Sequence, residues 1–293
     1  MRNTLITIGI CLAIAGLGWI APGVMNTIFN GIDIALGWAG PLAVVVIVSA
    51  LTGVLFIMAF PHVSAQGRIA AVKAKISHNL LGIRIFQDDM PTVGRGVSGA
   101  LGWNMVYLGL NALPMVVLAA PFMVVWFQLN SLYAFQPLSQ GEQTVVVVEV
   151  AAGVDPAQVE IQMPAGASLV NRVNMVGKLA FTLSADQVGS SDLVLRHGGI
   201  EVTKALEINT SPNRLARMRT SEPWSNFIAA KDPIIYFGEP VLPADSPIVS
   251  VWIEYPPAPL GPFGGGEITI MLIFVLVSMA FGFGLKGYFG VEI

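Results

Sequence analysis

Residues 61–91 read PHVSAQGRIAAVKAKISHNLLGIRIFQDDMP, and the reading of this stretch decides the fold. A long apolar run precedes it and another follows. Arg68, Lys73, Lys75, Arg84 and, just beyond, Arg95 stand against only Asp88 and Asp89. Short loops rich in Lys and Arg stay on the cytoplasmic side during membrane insertion. Residues 61–104 are therefore expected to form a cytoplasmic segment between two spans. Ile69, Val72, Ile76, Leu80 and Ile83 recur at steps of three and four, the spacing of one helical face. Pro91 disfavours helical geometry in Met90, so the helix should end near Asp88 to Met90. A basic amphipathic helix beside a bilayer lies on anionic headgroups or packs on a partner. The apolar stripe, together with Lys73, Lys75 and Arg84, makes up the candidate membrane- and partner-contact set.

Working outward, the second span is expected at residues 41–60, PLAVVVIVSALTGVLFIMAF. Its length of about 30 Å matches the hydrocarbon core. The third span falls within residues 105–130, with Trp103 and Trp126 marking its interfaces and Pro114 and Pro121 as kink positions. Asn111 reads as a hydrogen-bonding group toward a neighbouring helix. The glycine-rich GRGVSGALG, residues 94–102, reads either as a flexible approach to that span or as a close helix contact. The N-terminal MRNTLITIGICLAIAGLGWI fits a secretory signal peptide or a retained first span. The expectation taken is a span, with Arg2 inside and Trp19 at the far interface. Residues 1–60 then hold two spans joined by a short outer connection, or an interfacial helix, with only Asp33 charged. A fourth span is expected within residues 267–288, with Lys286 inside.

Composition agrees with this reading. The chain has 293 residues, 54% hydrophobic and only 11% charged, with mean hydropathy +0.71, whereas a soluble domain carries about 25% charge. The single cysteine, Cys11, rules out an internal disulfide and any cysteine-rich metal site. No Lys/Arg stripe with interleaved aromatics marks a nucleic-acid surface.

Residues 136–262 change character. TVVVVEV, VEIQM, KLAFTL, LVLRH and VTKALEI are short apolar or alternating runs punctuated by Gly, Pro, Asp and Ser. They predict an all-β, immunoglobulin-like sandwich outside the cytoplasm, with residues 142–209 enough for a small unit unless residues 210–255 are needed to finish its sheet. PIVSVWIEYPP adds one strand, and PPAPLGPFGGG reads as a proline-rich linker back to the membrane. The fold class expected is thus an α-helical integral membrane protein with an inserted β domain. Both termini are expected to be cytoplasmic and the β domain periplasmic, in a bacterial inner membrane.

Chemistry is sparse. His62, His78 and His197 lie far apart in sequence, without metal-ligand spacing. No nucleophile-elbow or phosphate-loop motif occurs. No expected span contains Asp, Glu, Lys or Arg, the groups that mark ion and proton pathways. A non-enzymatic chain without cofactor is expected, with other membrane protein subunits and the bilayer as partners.

The order of a span (residues 41–60), a cytoplasmic helical segment (residues 66–90) and two further spans is similar to the core of the YidC-type insertase superfamily, including its three-span relatives in archaea and the endoplasmic reticulum. That resemblance implies a role in inserting or assembling membrane proteins. It extends over residues 39–130 and 267–288. Two features depart from it: the β domain separates the last two spans, and the groove arginine of the bacterial insertases is missing from them. Two expectations follow, a subunit giving structural support within a larger membrane complex and, alternatively, an insertase-like assembly factor.

Overall fold

The computed structural model describes residues 2–212, 214–222 and 239–291. Six α-helices are present among them: α1 (Arg2–Ile20), α2 (Pro22–Leu36), α3 (Pro41–Val63), α4 (Gln66–Ile85), α5 (Met90–Tyr133) and α6 (Glu267–Leu285). Three segments are long and apolar enough to cross a membrane, namely Pro41–Val63, Pro114–Tyr133 and Glu267–Leu285. Leu5–Gly18 with Pro22–Ala39 would make a fourth only as a bent pair. The outer connection expected after the first span is itself mostly helix, as α2. The side chains of Arg2 and Trp19, expected as interface anchors, lie outside the described set.

The chain divides into two compact units. One comprises Met1–Ala21, Val45–Val125 and Ile273–Ile293; the other comprises Pro22–Val44 and Trp126–Leu272.

The first unit is helical. Ile57, Phe60, Leu118 and Val291 share a buried cluster with Cys11. Small residues let backbones meet: a Cβ on Gly53 would overlap the Ser278 carbonyl, and one on Gly18 would press on Val124. Phe122 and Phe274 pack with ring centroids 4.3 Å apart. α4 ends at Ile85, a short turn follows, and Asp89 accepts a hydrogen bond from the Thr92 hydroxyl at the start of α5. Pro91 occupies the first turn of α5, where its missing N–H costs nothing. α4 and the first half of α5 form an antiparallel hairpin. A Cβ on Gly96 would sit 2.7 Å from Ile83, and one on Gly99 would sit 2.6 Å from Asn79. Of the two readings of residues 94–102, close helix contact is the one observed; the stretch is continuous helix. Asn111 departs from expectation, because its amide donates to the Tyr107 carbonyl of its own helix at 2.8 Å rather than across to another. An isolated polar side chain on an apolar helix finds its nearest acceptor one turn back.

The second unit carries two antiparallel sheets. The strands are β1 (Gln143–Val150), β2 (Glu160–Gln162), β3 (Ala167–Met175), β4 (Lys178–Ala185), β5 (Gly189–His197), β6 (Ile200–Ile208), β7 (Met218–Thr220) and β8 (Ile248–Ile253). Their order is β3-β4-β1-β8-β7 in one sheet and β2-β5-β6 in the other. Val146 and Val148 of β1, Leu179, Phe181 and Leu183 of β4, Leu193 and Leu195 of β5, and Leu206 and Ile208 of β6 bury into a single core. The alternation that marked the strands in the sequence is the alternation of core and surface.

Strand β3 was missed in the sequence because its residues are nearly all exposed, so no alternation shows. Residues beyond 209 do finish the sheet. Strand β8 pairs with central β1 from Val146–Ile253 to Val150–Ile248, and it contributes Val251 and Ile253 to the core. A fragment of residues 142–209 is therefore expected to stay unfolded or to aggregate, whereas the full chain protects β1 amides from hydrogen exchange. A well-dispersed, cooperatively melting fragment would contradict this. The expected linker is corrected. Gly261–Phe263 form a 3-10 turn, Pro259 bridges Gly265, and Gly265 packs so closely on the Ala258 carbonyl that no Cβ fits.

Candidate functional site

The eight sequence-predicted contact residues all lie on α4, within the helical unit. Ile69 and Val72 are buried, Ile76, Ile83 and Lys73 are half-buried, and Leu80, Lys75 and Arg84 are exposed. Of the apolar stripe, Leu80 is left exposed by the chain itself. α4 carries apolar residues on other faces too, and Leu81 and Ile85 are also exposed. Two residues on one side of α5, Gly96 and Gly99, receive Ile83 and Asn79, and this sets which face of α4 turns inward. The Lys75 ammonium sits over the Trp103 ring, 3.8 Å from its centroid, a cation–π contact that ties the hairpin's two helices.

A second constellation lies in the other unit and was not foreseen. Asn26, Asn30 and Asp33 follow steps of four and three along α2, on one helical face. The C-terminal turns of α5 supply Gln128, Asn130, Ser131 and Tyr133. Arg214, from the chain after β6, joins them. Its Nε donates to Asn30 Oδ1 at 2.9 Å and one Nη donates to the Asn26 carbonyl at 3.2 Å. The other Nη donates to Ser131 Oγ. Gln128 Nε2 donates to Asn26 Oδ1 at 2.9 Å, and the Tyr133 hydroxyl donates to Asp33. Burial pulls the Arg214 guanidinium down to about 10, opposed by Tyr133 and Asp33, so it stays charged near neutral pH. Asn130 is buried, and both ends of its amide lack a hydrogen-bond partner among the described residues. Such a group costs about 1–3 kcal/mol unless something bonds to it.

Two further charged groups brace the β region. Lys204 occupies an inward position of β6 between Val202 and Leu206, 1% exposed. Its ammonium donates to Glu239 at 2.9 Å and to the Ala216 carbonyl at 2.7 Å. The same Glu239 oxygen accepts from the Ala205 N–H at 3.1 Å, and the Tyr255 hydroxyl donates to the Ala205 carbonyl at 3.2 Å. These side chains satisfy the outer edge of β6. Arg217 lies between the rings of Phe135 and Trp252, 4.4 and 4.5 Å from their centroids. It pairs with Glu267, in the first turn of α6, at 3.0 Å, where a carboxylate also complements the helix dipole. By contrast Arg196–Glu201, at 3.0 Å but half exposed on both sides, contributes at most about 1 kcal/mol.

Among the described residues no group of three or more His, Cys, Asp and Glu side chains is placed to hold a metal ion. The polar constellations fasten one element to another: their donors and acceptors are mostly spent on each other. Compared with models of known protein families, with curated proteins and with solved structures, the chain matches none.

Proposed function

We propose that the chain is a non-enzymatic integral membrane subunit of a larger membrane protein complex. Its helices give structural and assembly support within a bacterial inner membrane, with both termini cytoplasmic. The two sheets form an immunoglobulin-like sandwich on the periplasmic side. The observation that carries this reading is the uncovered surface of the candidate spans: only 33%, 39% and 22% of their apolar windows are buried within the chain. The bilayer can cover part of that surface, and helices of other subunits the rest. Glycines at backbone contacts fit helices built to pack on helices. Purification in mild detergent is expected to retain at least one stoichiometric partner. A monodisperse particle of the 31.1 kDa chain alone would count against the proposal.

The topology is tested separately. With Cys11 replaced, cysteines at Lys75 and Asp186 are expected to label from opposite sides of the membrane. Labelling from one side sinks the arrangement.

A YidC-like insertase remains a second reading, favoured by one observation. A charged Arg214 donates to Ser131 in the last turns of α5, where Gln128 and Asn130 are also buried, and a polar group beside a span is what a client segment would need. Arg214→Gln is expected to slow insertion of a single-span client in this reading. Under the subunit reading the same variant loosens the fold without affecting insertion at matched protein level.

A further inference from the structure

No Asp, Glu, Lys or Arg occurs from residue 96 to residue 133. That is about 57 Å of helix at 1.5 Å per residue, nearly twice the ~30 Å hydrocarbon core. The candidate span Pro114–Tyr133 fills one core thickness by itself. The preceding part of α5 carries no charge and still exposes Leu101 by 62%, Met105 by 69% and Leu108 by 55%. At 100° per residue these three, with Ala112, lie opposite Gly96, Gly99 and Trp103, the side that meets α4. The hairpin therefore has an apolar underside made by α5 and an upper layer made by α4. Exposed basic residues Arg68, Lys75 and Arg84 occupy the two flanks of α4, with Arg95 on α5; the acidic residues, Asp88 and Asp89, are confined to the turn. Continuous apolar faces of this kind do not stay in water.

We propose that the α4–α5 hairpin lies on an anionic bilayer surface, with Leu101, Met105 and Leu108 of α5 sunk among the acyl chains and the basic flanks of α4 on the headgroups. Charge complementarity selects lipid over a second copy of the chain, whose own basic flanks would repel it. Trp103 beneath Lys75 adds the ring-and-ammonium pairing favoured at headgroup depth. Pro114 removes a backbone hydrogen bond where the span would join the hairpin, the position at which α5 can turn from the surface into the bilayer. The proposal rests on the reading that the chain spans a membrane.

The test uses the full chain with Cys11→Ser, reconstituted in phosphatidylcholine vesicles with or without phosphatidylglycerol. Nitroxide labels are placed singly at Leu101→Cys, Met105→Cys, Ser77→Cys and Leu276→Cys. Their exposure to oxygen, which partitions into lipid, is compared with exposure to a water-soluble nickel chelate. With phosphatidylglycerol present, labels 101 and 105 should favour oxygen and label 77, on the upper face of α4, should favour nickel. Omitting phosphatidylglycerol, or combining Arg68→Gln, Lys75→Gln and Arg84→Gln, should shift label 101 toward water. Nickel access at 101 and 105 in anionic vesicles overturns the proposal. So does shielding from both reagents, which would mean that protein covers the face, or indifference to lipid charge. Label 276, on the exposed face of α6, separates the two readings. If it favours oxygen while label 101 favours nickel, the hairpin proposal alone fails; if it favours nickel, the spanning reading fails with it.

Discussion

Lys204→Ala is expected to destabilise the β region by about 3–5 kcal/mol, the cost of removing one partner from a buried ion pair. The ammonium is fully enclosed, and its removal strips Glu239, whose side chain is 13% exposed, of the cation 2.9 Å away. It also removes the hydrogen bond that the ammonium gives the Ala216 carbonyl. Urea unfolding of the detergent-solubilised chain, followed by exchange of β1 and β6 amides, measures the loss. The double substitution Lys204→Met with Glu239→Gln should recover much of it, because apolar replacement of a whole pair is often close to neutral. A single variant within about 1 kcal/mol of the native chain would mean that water reaches the site and screens the pair. Burial also holds the Lys204 ammonium below its ordinary 10.5, with Glu239 opposing. The unfolded chain then binds the proton more tightly, so this group's contribution to stability improves as pH rises toward 10.5. Tyr255 acts in the opposite sense: burial raises its hydroxyl above the ordinary 10.0. Above that pH only the unfolded phenol ionises, and stability falls. Relative to Lys204→Met, the native chain should therefore gain stability as pH rises toward 10.5, and a flat difference would show that Lys204 is solvated.

The alternation that reveals strand β6 also places this lysine. Val202, Lys204, Leu206 and Ile208 share one face of the strand, so reading VTKALEI as a strand already commits a lysine to the core. What the sequence does not hold is its partner: Glu239 is distant in the chain, and no local pattern links them. The same limit applies to β8, whose run PIVSVWIEY is legible as a strand while its place beside β1 depends on a pairing across about a hundred residues. Register follows the buried face only when the neighbour is known. Helices were easier. Uninterrupted apolar length specifies α3 and α6 to within a few residues, because the requirement for 20 apolar residues is itself long-range information written locally. The boundary that failed is the start of α5. Its hydrophobic run suggested a helix beginning near residue 105, but Gly94, Gly96, Gly99 and Gly102 continue the helix back to Met90, supported by contact with α4 rather than by propensity.

The Arg214 constellation was half visible. Asn26, Asn30 and Asp33 recur at helical spacing in a segment otherwise apolar, and Gln128, Asn130 and Ser131 interrupt the end of a span. Polar groups placed so regularly on an apolar helix seek partners. The arginine that answers them comes from after β6, in a stretch too irregular to be assigned from pattern alone. Spans without charge of their own can still meet a charge that arrives from another element.

Gly53 carries the other large expected effect, and it reverses a general rule. In the interior of a helix, Gly→Ala ordinarily stabilises by about 0.5–1 kcal/mol through lost chain entropy. Gly109 on α5 has open space around a built Cβ, so Gly109→Ala should follow that rule. At Gly53 the Cβ would overlap the carbonyl oxygen and Cα of Ser278, which are backbone atoms of α6 and cannot rotate away. Gly282 reinforces the contact, since a Cβ there would lie 3.4 Å from the Gly53 carbonyl. α3 and α6 must then separate, loosening the packing around them. Gly53→Ala is expected to destabilise by about 1–3 kcal/mol and Gly53→Leu by about 3 kcal/mol, the range for overpacked sites that can yield only by moving backbone. Thermal unfolding in detergent gives the sign for each glycine, and hydrogen exchange along α3 and α6 locates the change. The contrast between two helical glycines is the decisive readout. If Gly53→Ala stabilises as Gly109→Ala does, the helices do not approach closely there, and the small residues of α3 would need a reason other than contact with α6.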